Sequence, residues 1–187
     1  IDKTSGDNEN DDWAGDWEYT ADISFRSDYD PNGQKIAYAP FGQKQGEETY
    51  FLYEYPDYDD INESQKQYIQ NYIREFEEAL LKDDFNSDAP RQYMEYIDVE
   101  SFAKFFILNE LSSNPDAYRI STYLNKGRGE KLKMGPVWDF NLAFGLDGRS
   151  TTNVWIYEYN LRNPGDLWLV PFWWNRLLND PLFRAAI

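Results

Sequence analysis

A chain of 187 residues is long enough for one domain with a real core, and 41% apolar with 18% aromatic content excludes a disordered acidic polymer. It contains no His and no Cys, which removes Ser-His-Asp and Cys-His nucleophiles, His- or Cys-ligated zinc and disulfides. The net charge of −16, from 34 acids against 18 bases, makes nucleic acid and anionic membranes poor partners, although acidity also serves solubility alone.

Residues 1–16 are polar and acidic and read as a flexible acidic segment. The chain starts at Ile1 rather than Met and is read as a piece of a longer protein, cut at both ends. No apolar run approaches the roughly 20 residues a membrane span needs, so a membrane-embedded chain is not expected. From Trp17 to Phe25 apolar residues alternate with polar ones, predicting a half-buried strand. Asp30-Pro31-Asn32-Gly33 signals a turn. The run from Asp28 imitates the start of a calcium loop, but its twelfth position is Ala39 where a bidentate Glu belongs, so a hairpin turn is the better reading. Weaker strands are predicted over 36–40 and 49–55.

Helical spacing follows. Asn62 and Gln65 form a capping-box pair before an apolar stripe of Tyr68, Ile69, Tyr72, Ile73, Phe76, Ala79 and Leu80, with Glu75, Glu77, Glu78, Lys82 and Asp83 off it. A second helix is expected from the Asp98 cap to about Ser113, stopped by Asn114-Pro115. Its apolar residues run round most of its circumference, the pattern of a core helix, and within it Asn109 and Glu110 need partners. Strand patterns over 119–124 and 131–137 flank a Gly-rich, charged turn at 125–130. After this hairpin, 147–153 read as a polar loop. Trp155, Trp168, Trp173 and Trp174 follow, more readily core residues than a sugar-stacking platform.

The hairpin carries the chemistry. Antiparallel strands lie about 5 Å apart, so the two open ends meet, and they bear Asp116 on a loop and Asp139 at a strand end. Two convergent carboxylates suit a hard divalent cation and a phosphate-bearing substrate. A helix-end Asp and a turn-capping Asp account for the same residues equally well.

Beyond spacing, Asn114-Pro115-Asp116-Ala117-Tyr118-Arg119-Ile120-Ser121-Thr122-Tyr123 and Gly135-Pro136-Val137-Trp138-Asp139-Phe140-Asn141-Leu142-Ala143-Phe144-Gly145 resemble the spore coat protein H (CotH) kinase family. The helix from Tyr96-Ile97-Asp98 to Asn109-Glu110-Leu111 and the segment Pro171-Phe172-Trp173-Trp174-Asn175-Arg176-Leu177 are similar to the same family, so the resemblance spans 17–187.

The resemblance implies an α+β fold, protein kinase-like, mostly a helical C-terminal lobe with a small antiparallel sheet and a catalytic hairpin. It implies phosphoryl transfer from ATP, with Mg²⁺ or Mn²⁺, to Ser or Thr of secreted or surface proteins, and an extracellular or cell-surface location. Asp116 matches the catalytic-loop base and Asp139 the metal-binding aspartate. Asn114 and Asn141 are candidate polar neighbours for the nucleotide and metal. The family usually reads Trp-Asp-Phe-Asp, so Asn141 keeps an oxygen ligand and loses a charge. The family's phosphate loop and nucleotide-holding Lys lie upstream of the region matching Trp17, and this piece is expected to be a weak kinase alone. A non-catalytic surface module binding protein or polysaccharide is the alternative.

Overall fold

Short runs rich in aromatic and β-branched residues make the sheet. The computed structural model describes residues 23–27, 51–56, 58–87, 89–146, 154–166 and 168–187. Strands β1 (Ile23–Ser27), β2 (Phe51–Tyr55), β3 (Thr122–Lys126) and β4 (Leu132–Met134) form one antiparallel sheet in the order β2-β1-β3-β4. Phe25 faces Tyr53 on one side and Leu124 on the other, so β1 is an inner strand. Both of its faces are covered, and even Ser24 and Ser27 are buried. The expected half-buried alternation therefore fails in β1. The acidic residues 1–16, the start of the predicted strand at 17–22, the turn at 30–33 with its calcium-like run, the strand at 36–40 and the loop at 147–153 lie outside the described residues.

Helix α1 (Glu63–Lys82) begins where the sequence places it. Asn62 Oδ1 accepts from the Gln65 N–H at 3.0 Å, and Gln65 Oε1 accepts from the Asn62 N–H at 2.6 Å. The stripe of Ile69, Ile73, Phe76, Ala79 and Leu80 is buried, with Tyr68 and Tyr72 packed at its edge. Glu77 departs from expectation: it is fully buried and accepts from the Trp173 indole N–H at 2.6 Å. A buried carboxylate without such a donor is costly, so the tryptophan brings it inside.

Helix α2 (Val99–Ser112) is capped by Asp98, whose carboxylate accepts from the Ser101 N–H at 2.9 Å. Phe102, Ala103, Phe105 and Phe106 are buried, whereas Leu108 and Leu111 are exposed. The helix is thus half-open to solvent rather than enclosed, because one face packs on the core and nothing described covers the other.

Helices α3 (Tyr159–Arg162), α4 (Phe172–Asn179) and α5 (Pro181–Arg184) close the fold. Asp180 separates the last two and caps α5, accepting from the Leu182 N–H at 3.1 Å. The four late tryptophans do not form one cluster. Trp173 stacks on Phe51 and meets Phe76 edge-on, while Trp174 packs on Phe102, Phe105 and Tyr118. Trp155 is exposed, with one face on Phe106. Helix α4 is therefore a wedge with one tryptophan toward the sheet and α1 and the other toward α2 and the turn after it. The architecture is α+β, with one four-stranded antiparallel sheet and five α-helices among the described residues. No described helix is long and apolar enough to cross a membrane.

Candidate active site

The site grows from the end of α2. Ser113 closes that helix in the left-handed conformation at φ 50°, its N–H donating to the carbonyls of Asn109 and Glu110. Pro115 cannot continue a helix, and the chain coils through turns from 115 to 120 before β3 begins. Strand β3 therefore starts three residues later than the sequence pattern indicates. Strand β4 ends at Met134 instead of 137, since Pro136 has no N–H to continue the ladder. The hairpin itself is present, with Leu124 opposite Met134 and Lys126 opposite Leu132.

Asp116 sits in the turn and is buried, 7% exposed. Its N–H donates to Asn114 Oδ1 at 3.3 Å, and Asn114 Nδ2 donates to Asn109 Oδ1 at 3.1 Å. The Asp116 carboxylate takes a hydrogen bond from Arg119 Nη2 at 3.1 Å. Asn109 is in turn fixed by donating to the Phe105 carbonyl at 2.9 Å, so a buried amide chain runs from α2 to Asp116.

Asp139 lies past the end of β4, half-buried, with φ 61°. Ser121 Oγ donates to Asp139 Oδ2 at 2.9 Å, and the Trp138 indole N–H donates to the Ser121 carbonyl at 2.9 Å. The hairpin thus delivers Asp139 to Ser121, the residue before β3, while Asp116 stands five residues upstream with a carboxylate oxygen on Arg119. Asn141 is exposed at the start of the turns that follow. Phe144, also exposed, donates its N–H to the Ser112 carbonyl at 2.6 Å and ties this segment back to α2.

Strain collects here. Among the described residues, the non-glycine residues with positive φ are Ser113, Tyr118, Ser121, Asp139 and Phe144, at 50° to 72°. All five fall in the two short segments that carry Asp116 and Asp139. Left-handed backbone costs a bulky residue such as Tyr118 on the order of 1–3 kcal/mol, and it persists only where surrounding contacts enforce it. The enforcing contacts are visible: Tyr118 is buried between Trp174 and Phe105, with its hydroxyl donating to Glu110 Oε1 at 2.9 Å.

Glu110 also accepts from the N–H groups of Ile156 at 2.7 Å and Tyr157 at 2.9 Å. Burial raises its carboxyl above the usual value, opposed by these two backbone donors and by Tyr118. Burial, with the Glu110 charge beside it, raises the Tyr118 hydroxyl well above its ordinary range. Sequence reasoning asked for partners at Asn109 and Glu110 without finding them, and it missed Arg119 and Ser121. The one available signal was the placement of Arg119 three positions after Asp116 in a tight turn.

Among the described residues, no three acidic side chains come together as a protein-only metal site. Mg²⁺ commonly takes one or two carboxylates and fills its shell with water and phosphate oxygens. Asp139 is half-buried with Oδ2 accepting from Ser121, and Asn141 two residues on is exposed.

No curated protein and no solved structure matches the chain. The family model described as "CotH kinase protein" matches residues 18–187. That span takes in α1, α2, the hairpin and both strained segments, and the chain belongs to the CotH kinase family.

Proposed function

We propose that this chain supplies the base and metal-holding segments for phosphoryl transfer from ATP to a protein hydroxyl within a protein kinase-like fold, with weak activity when it acts alone. The observation that supports this best is the concentration of left-handed, non-glycine backbone in the segments bearing Asp116 and Asp139, in a member of a kinase family. Asp139 would hold Mg²⁺ or Mn²⁺ together with Asn141, and Asn114 would keep the Asp116 turn in place. A cation held there would supply neutralisation of the phosphate charge. Asp116 takes the proton of the acceptor hydroxyl as its oxygen attacks the γ-phosphorus and the bond to the ADP oxygen breaks. Arg119 engages Asp116 Oδ1 during this step. Secreted or surface acceptor proteins and an extracellular location rest on the family alone.

Thermal unfolding with ATP, with and without Mg²⁺, tests this reading. A ligand that binds only the native state at 100 times its Kd stabilises it by about 2.7 kcal/mol. Asp139→Ala is expected to lose the metal-dependent shift. Asp116→Ala is expected to keep the shift while turnover falls about 10²- to 10⁴-fold, the usual contribution of a general base. Equal nucleotide affinity in wild type and Asp139→Ala would overturn the assignment.

A further inference from the structure

Arg119 is 3% exposed and reaches more partners than any ordinary surface arginine. Its Nε donates to the Pro115 carbonyl at 3.0 Å, and its Nη2 donates to Asp116 Oδ1 at 3.1 Å. On the other side, Nη1 donates to the Trp168 carbonyl at 3.3 Å and lies 3.6 Å from Asp166 Oδ2. The guanidinium carbon stands 4.1 Å from the centre of the Tyr159 ring, and the Tyr159 hydroxyl donates to Asp166. A planar guanidinium with its donors engaged on two sides and an aromatic ring on its face has one orientation available.

We infer that Arg119 is a positioning residue for Asp116, with Asp166 and Tyr159 setting the plane of its guanidinium. This rests on the function proposed above. The fork sits in the same short turn as Asp116 and holds its carboxylate at Oδ1 while gripping the Pro115 carbonyl, which sets the plane of the carboxylate against the turn. Its opposite side is anchored in the segment from Tyr159 to Trp168, far along the chain from the turn. The geometry therefore couples the aim of Asp116 to a segment that carries none of the proposed chemistry. Lys has the charge of Arg but a single nitrogen, so it cannot hold both sides together.

The experiment is steady-state phosphorylation by the full-length protein, with wild type, Asp139→Ala, Arg119→Lys, Asp166→Asn and the Arg119→Lys/Asp166→Asn double variant run together. Arg119→Lys is expected to lower kcat by about tenfold or more and leave KM for ATP within about twofold, because aim is lost and nucleotide binding is not. Asp166→Asn, at a half-buried position and shape-conserving, is expected to keep the fold and lose kcat less, with KM likewise unmoved. The double variant is expected to be no slower than Arg119→Lys, since Asp166 acts through Arg119. A purely structural role predicts instead that the two losses multiply and that thermal stability falls in step with kcat. Multiplying losses, or kcat within twofold of wild type in both single variants, overturn the inference alone. A wild type that transfers no phosphate, like Asp139→Ala, overturns the proposed function and this role with it.

Discussion

Glu110 shows how a single side chain can serve two elements. It receives the Tyr118 hydroxyl from the strained turn and two backbone N–H groups from the 3-10 helix Ile156–Glu158. Three donors do not fully offset the burial of its charge, and its carboxyl stays raised. A group whose folded-state affinity for a proton exceeds its unfolded one favours the native state most where it is protonated. Its contribution is therefore largest below the ordinary carboxyl value of 4.5 and declines as pH rises through the raised folded value. Relative to Glu110→Gln, wild type is expected to be more stable at about pH 4 than at about pH 7. Urea unfolding of both proteins at the two pH values measures this, and a difference that runs the other way contradicts the burial argument. The sequence raised the question of Glu110 because an acid stood in an apolar helix. It withheld the answer because the backbone partners are 46 and 47 residues away.

At the scale of elements, the hairpin sets the position of Asp139, and Gly135 is its tightest point. The Gly135 N–H donates to the Tyr123 carbonyl at 2.6 Å. A Cβ built there would lie 2.5 Å from Tyr123 Cβ and 2.9 Å from Tyr123 backbone atoms, which cannot swing aside. Gly135→Ala is expected to push β4 off β3, at a cost of about 1–3 kcal/mol by overpacking. It should also weaken the Ser121–Asp139 contact just beyond. A thermal melt reads the first effect and the Mg²⁺-ATP shift reads the second; full retention of both would show that Asp139 does not depend on the hairpin. Helix α1 and the hairpin were legible in the sequence because capping boxes, apolar periodicity and glycine-rich turns act over a few residues. The contacts of the two aspartates were not legible: Asp139 accepts from Ser121, and Asp116 accepts from Arg119, which is held from Trp168 and Asp166; Glu77 was misread because its partner, Trp173, is 96 residues away.

For the molecule as a whole, the balance of charge is the dominant long-range term. The described ion pairs Lys82–Glu78, Lys104–Glu100 and Lys133–Glu130 are solvent-exposed and contribute little to stability. Arg91–Asp180 is different. It is buried, Tyr93 donates to the same carboxylate at 2.8 Å, and the Arg91 guanidinium also holds the carbonyls of Asp84, Phe85, Ser87 and Ala89. Such a pair is poorly screened, whereas the self-repulsion of a net charge of −16 is screened readily. Raising ionic strength from about 0.01 M to about 0.15 M shortens the screening length from about 30 Å to about 8 Å. The thermal midpoint should rise over that range, and a fall in calorimetry would place the exposed pairs above the repulsion. Helices α1 and α2 could be read from local pattern and the α+β class came with the family resemblance; the wedge formed by Trp173 and Trp174 could not be read, since it joins elements distant in sequence. The chain returns to the end of α2 twice, at Ser112 through the Phe144 N–H and at Glu110 through Ile156 and Tyr157. Doubling the length of chain between those two anchors is expected to cost only about 0.6 kcal/mol in loop closure, with Asp139 still held upstream by Ser121, so an insertion there should lower the thermal midpoint far less than one inside the hairpin.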